Sequence, residues 1–135
     1  MPLSPSVMIR ILVVDDHAVV RDTLCQFLAG QHGMEVSASA ENGKAALLLL
    51  NDGLKVNIIL SDLNMPEMDG MELTRAVVAI KQAPPVIVLT FHSLLAVKNS
   101  VLSAGAKACL SKDGEPDELL DTIRSVHAQY GNCVA

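Results

Sequence analysis

The stretch Ile58-Ile59-Leu60-Ser61-Asp62-Leu63-Asn64-Met65-Pro66-Glu67-Met68-Asp69-Gly70 changes character halfway along. It opens apolar and partly β-branched, then turns polar and is punctuated by Pro66 and Gly70. A buried strand running into a loop reads this way. Asp62 stands where the strand emerges, and in an open α/β sheet the carboxyl ends of the strands are where ligands bind. Taken alone, an aspartate there is more often a turn residue. The rest of the chain changes that balance, because three other strand ends also carry reactive or charged residues.

Working outward, the same alternation of strand and helix repeats. Met8 to Val14 is an apolar run with Arg10 its one charge, followed by Asp15-Asp16. From Ala18, the residues Val19, Val20, Leu24, Phe27 and Leu28 recur at three- and four-residue steps, which predicts a helix. Gly30 and Gly33 bracket its end. Met34 to Ala40 reads as an edge strand, and Asn42 as the N-cap of a helix reaching Leu50. Val56 to Ser61 is the third strand, and Met71 to Lys81 a helix with Leu73, Val77 and Ile80 on one face. Pro84-Pro85 stops it. Val86 to Leu89 is a fourth strand ending at Thr90, Leu94 to Leu102 a helix, and Ala108 to Leu110 a short strand before Ser111-Lys112. Pro116 suits the first turn of a last helix, with Leu119, Leu120, Ile123 and Val126 as its inward stripe. Five βα units predict a doubly wound, five-stranded parallel sheet with helices on both faces.

Composition agrees. At 135 residues the chain is one domain, long enough to bury about two thirds of its unfolded surface. It is 50% hydrophobic but 2% aromatic, which suits parallel strands covered on both sides by aliphatic residues. The net charge is −5 and the ten Lys and Arg are scattered, so no basic stripe is offered to nucleic acid. Cys25, Cys109 and Cys133 form no metal-binding spacing and predict unpaired thiols in a reducing cytoplasm. Met1 to Ser6 carries two prolines and no apolar stretch, unlike a signal peptide. The longest apolar run, Ala45 to Leu50, is too short to cross a bilayer, so no membrane association is expected. The expected organisation is a leader over 1–7, a domain over 8–128, and the start of a linker or tail over 129–135.

In the flavodoxin-like order 2-1-3-4-5, the ends bearing Asp15-Asp16, Asp62, Thr90 and Lys112 surround the crevice between strands one and three. Crowded carboxylates repel, so they either neutralise or recruit a hard cation; Mg²⁺ prefers oxygen ligands with phosphate as a partner. A carboxylate can attack phosphorus as a nucleophile. Such transfer asks the protein mainly for positioning and neutralisation of charge, which a metal, a lysine and a threonine hydroxyl could supply.

This set resembles the receiver domain of two-component response regulators. The residues carrying the resemblance are Val13-Val14-Asp15-Asp16, Asp62-Leu63-Asn64-Met65-Pro66 with Asp69-Gly70, Thr90, and Lys112 preceded by Ala104-Gly105-Ala106. Asp15-Asp16-His17 with Arg21 is similar to the subfamily with a LuxR-type helix-turn-helix output (NarL/FixJ-like). The resemblance implies that Asp62 is the phosphoacceptor, that Asp15 and Asp16 bind the metal, and that the backbone carbonyl of Asn64 completes its shell. It implies Thr90 as the switch hydroxyl and Lys112 as the cation gripping the phosphoryl group. It further implies a sensor histidine kinase as donor, a homodimer on phosphorylation, and DNA binding only through a further C-terminal domain.

Two positions depart from the family pattern. Cys109 stands where an aromatic residue is usual, which argues against a swinging ring as the switch. Phe91 is larger than the usual residue after the switch threonine and is expected to narrow the approach to Asp62. Competing readings are a pseudo-receiver with a silent site and an Asp-nucleophile phosphatase of the haloacid dehalogenase type. The second lacks its Asp-x-Asp pattern after the first strand and room for a cap domain. Of the four histidines, His17, His32 and His127 are expected to be exposed or locally bonded, while His92 should overhang the site.

Overall fold

A computed structural model describes residues 8–91 and 94–130. The expectations for the leader, for His92 and for 131–135 lie outside them. Five parallel strands, β1 (Ile9–Val14), β2 (Met34–Ala40), β3 (Ile58–Asp62), β4 (Val86–Thr90) and β5 (Ala108–Ser111), form one sheet in the order β2-β1-β3-β4-β5. The helices between and after them are α1 (Ala18–Ala29), α2 (Gly43–Asn51), α3 (Gly70–Val78), α4 (Leu95–Ser103) and α5 (Pro116–Tyr130). This is the doubly wound, flavodoxin-like order expected for the five alternating units.

Strand side chains alternate between two apolar layers, as a period of two requires. Ile11, Val13, Ile58, Leu60, Ile87 and Leu89 pack with Leu28 of α1 and with Leu120, Ile123 and Val126 of α5. Leu12, Val14, Ile59 and Val88 pack on the other side with Ala46 of α2, Leu73 and Val77 of α3 and Val101 of α4. Central strands apolar on both faces are what make the parallel sheet stable.

Local chemistry sets the helix ends. Asn42 accepts from the Ala45 amide and caps α2, as its sequence position suggests. Asp69 accepts from the Glu72 amide at 2.8 Å while Glu72 returns a bond to the Asp69 amide at 3.1 Å, a capping box that starts α3.

Three expectations change in detail. Helix α3 ends at Val78, so Ile80 leaves the stripe of Leu73 and Val77 and is 36% exposed; Gln82, at φ 58, has already turned the chain left-handed. Val19 and Val20 keep the helical spacing of α1, yet both are exposed, because the contacts of α1 with the core layer begin at Leu24 and run through Cys25 and Phe27 to Leu28. Helix α5 runs on through Gln129 to Tyr130.

Candidate functional site

Three rows of alternate residues lead out of one apolar layer to the site. Ile11 and Val13 are followed by Asp15, Ile58 and Leu60 by Asp62, and Ala108 and Leu110 by Lys112. The same parity brings all three charges out beside α1 and α5. Strand order places β4 between β3 and β5, so only a long side chain can bridge the gap. The Lys112 Nζ does so, lying 3.0 Å from Asp15 Oδ2 and 3.1 Å from Asp62 Oδ1. Backbone bonds hold the frame: Asp15 N donates to Ala40 O, Leu63 N to Leu89 O, and Lys112 N to Thr90 O.

The triad is almost dry. Asp15 and Asp62 are 2% and 5% exposed, and the Lys112 side chain is 8% exposed. Burial raises the Asp62 carboxyl above the ordinary carboxylate range; Lys112 opposes that shift, and the charges of Asp15 and Asp16 add to it. Burial alone would lower Lys112, but its hydrogen bonds and charge contacts with Asp15 and Asp62 outweigh desolvation and hold it above its usual value. Lys112 is therefore a fixed cation beside a carboxylate that is costly to ionise.

Asp15, Asp16, His17 and Asp62 each offer a ligand atom, all within 4.8 Å of one another. Asp16 Oδ1 is buried and has no hydrogen-bond partner among the described residues. A buried carboxylate oxygen left unsatisfied is costly and invites a cation. The donor set fits a divalent metal.

His17 and Arg21 enter the site although their spacing suggested only a subfamily. His17 N donates to Asp15 Oδ1 at 2.9 Å, and Arg21 Nη1 donates to the Asp15 carbonyl at 2.7 Å. The available signal was the four-residue step, which lets a side chain in the first turn of α1 reach back over the loop.

The remaining expected residues stand around this centre. Thr90 is buried at the end of β4, and Asn64 is exposed in the loop after Asp62. That loop closes on itself through Gly70 N donating to Leu63 O, and docks on α2 through Gly43 N to Met68 O. Asn42 Nδ2 reaches Glu67 Oε2 at 3.3 Å, steadying a residue held at φ 67. Phe91 is 68% exposed, its ring centroid 5.4 Å from Lys112 Nζ, so it flanks the lysine and stands out into solvent. Cys109 is buried in the layer beneath α2, α3 and α4.

The chain matches the family described as "Response regulator receiver domain" over residues 11–124. It belongs to that family. The receiver domain is 43% identical over 120 residues to the transcriptional regulatory protein YhcZ of Bacillus subtilis (strain 168), covering 87% of this chain and 54% of that protein. It is 34% identical over 121 residues to the response regulator UvrY of Escherichia coli (strain K12), covering 90% of this chain and 55% of UvrY. The chain thus spans about half the length of the curated relatives it matches. A crystal structure of a two-component response regulator of the LuxR family from Aurantimonas sp. SI85-9A1 superposes with a TM-score of 0.84 at 29% identity, covering 90% of this chain and 86% of that one. The chain is a receiver domain of the two-component response-regulator class. Among the described residues, no helix is long and apolar enough to cross a membrane.

Proposed function

We propose that Asp62 accepts a phosphoryl group from a phosphohistidine on a sensor kinase and that the domain changes its surface in response. The observation carrying this reading is the buried Lys112 bridging Asp62 and Asp15 at the carboxyl edge of β3. An Asp62 carboxylate oxygen attacks phosphorus, the bond from phosphorus to the imidazole nitrogen breaks, and the imidazole leaves with the electron pair. Lys112, 3.1 Å from Asp62 Oδ1, is placed to offset charge on the incoming group. The buried Thr90 hydroxyl, at the adjacent strand end, is the group that senses the new charge.

Asp15, Asp16 and Asp62, with the backbone carbonyl of Asn64, would hold Mg²⁺. When bound, Mg²⁺ neutralises the crowded carboxylates and the phosphoryl oxygens. Burial penalises the charge of Asp62, and a cation held by these residues would offset that penalty.

The domain is read as reaching from residue 8 to Tyr130, the end of α5, with its output carried by a separate DNA-binding domain. The name of YhcZ supports a transcriptional output, and the length of both relatives leaves room for a further domain. Homodimerisation on phosphorylation and a cytoplasmic site of action complete the reading.

Incubation with a small-molecule phosphodonor and Mg²⁺, followed by intact mass, tests it. A single phosphoryl adduct in the wild type, absent in Asp62→Asn, is expected. Turnover without an adduct would mean a phosphatase, and no reaction at all a pseudo-receiver.

A further inference from the structure

We propose that His17 is a ligand of the same metal site, and that it tilts the site's preference toward Zn²⁺ and similar borderline dications. The inference rests on reading the Asp15, Asp16 and Asp62 cluster as a metal site, and adds an imidazole to an otherwise all-oxygen set. Its Nδ1 lies 3.1 Å from Asp16 Oδ1 and 3.5 Å from Asp15 Oδ1. Metal–ligand bonds of about 2.1 Å place neighbouring ligand atoms roughly 3 to 3.5 Å apart around one ion. The spacing seen is therefore that of adjacent ligands.

The contact with Asp16 is not a hydrogen bond. Asp16 Oδ1 is buried and has no hydrogen-bond partner among the described residues, although an imidazole nitrogen stands 3.1 Å away. Two polar atoms at that distance, with no hydrogen bond between them, are placed to share a third partner. The position of His17 is also built. Its amide is tied to Asp15 Oδ1 at 2.9 Å and its carbonyl accepts from Arg21 N at 2.8 Å, which anchors the start of α1 beside the acids. The imidazole itself is 67% exposed, so a hydrated ion reaches it without rearrangement of the core.

The chemistry follows from ligand type. Mg²⁺ is hard, keeps several waters and gains little from an imidazole. Zn²⁺ takes nitrogen and carboxylate ligands together, and imidazole suits zinc, copper, nickel and iron alike. A histidine beside three carboxylates thus discriminates between the two classes of ion where carboxylates alone do so weakly.

The test is calorimetric titration of the intact chain with Zn²⁺ and, separately, Mg²⁺, in the wild type and in His17→Gln. Circular dichroism confirms that the variant is folded. A Co²⁺-loaded sample supplies a direct signature, a paramagnetically shifted imidazole N–H resonance that His17→Gln removes. The expected result is Zn²⁺ affinity lowered at least about tenfold in the variant with Mg²⁺ affinity unchanged. Equal weakening of both ions makes His17 a structural support and overturns the proposal, as does Zn²⁺ binding indifferent to His17→Gln. Zn²⁺ binding through His17 without any Mg²⁺ binding would sink the Mg²⁺ reading and leave this one standing. If neither ion binds, both fall.

Discussion

Asp62 is held in a position that penalises its own charge. Its carboxyl is raised by burial more than Lys112 relieves it, so the folded domain binds a proton at Asp62 more readily than the unfolded chain does. For a group raised in this way, the stabilising contribution is fully present below the ordinary carboxylate range. It is lost as pH rises through the folded-state value. Lys112 is raised as well, so its contribution persists through neutral pH and fades only beyond the usual lysine range. Asp62→Asn should therefore raise the thermal midpoint of the metal-free domain by a few degrees at neutral pH. The gain should shrink as pH falls through the carboxylate range. Thermal melts in chelator across that range check this, and a variant less stable than the wild type at neutral pH refutes it.

Among the elements, the loop from β3 to α3 couples helix formation to the site. Asp69 is a cap, its carboxylate accepting from the Glu72 amide. Asp69→Asn should preserve both the cap and the adduct. Asp69→Ala should cost about 1 kcal/mol of stability in denaturant melts, yet still be phosphorylated. Gly70 answers to a stricter demand. A Cβ there would run into the carbonyl oxygen of Asp62 and come within 2.9 Å of Leu63 Cα, both backbone atoms that cannot swing aside. Gly70→Ala is expected to lose about 2–3 kcal/mol and to slow phosphorylation, because the strain falls on Asp62, the proposed phosphoacceptor. A variant of native stability and normal labelling rate would show that the loop yields freely.

At the scale of the whole molecule, the question is how a new charge at Asp62 reaches the surface. Cys109 lies in the core layer with Val88, Val101 and Ala106, where a small thiol packs as a hydrophobe and offers no large group to turn. Thr90 ends β4 beside the site and leads directly into Phe91, which is exposed, as are Leu94 and Leu95 at the start of α4. Sedimentation velocity with and without phosphodonor should show self-association that strengthens on phosphorylation. Thr90→Ala should take phosphate yet fail to associate, whereas Cys109→Ala should associate nearly as the wild type does. If Cys109→Ala uncouples the two events as fully as Thr90→Ala, the cysteine belongs to the switch.

Much of this was legible in the chain. Apolar runs that end in acids, threonine or lysine, separated by helical periodicities, determine a parallel sheet and the edge where chemistry collects, because buried parallel strands must be apolar throughout and polar residues are expelled to their ends. Alternation puts each of Asp15, Asp62 and Lys112 on the face of the residue two before it, but strand register decides that the three share one face. What only the tertiary structure decided is which of these side chains meet. Strand order sets Lys112 across β4 from Asp62, burial sets the cost of its charge, and docking of the β1–α1 loop brings His17 and Arg21 onto Asp15. The exposure of Val19 and Val20 belongs to the same class. Periodicity fixes the direction in which a side chain leaves its own helix, but burial depends on what another element places against it, and that is a property of packing between segments distant along the chain.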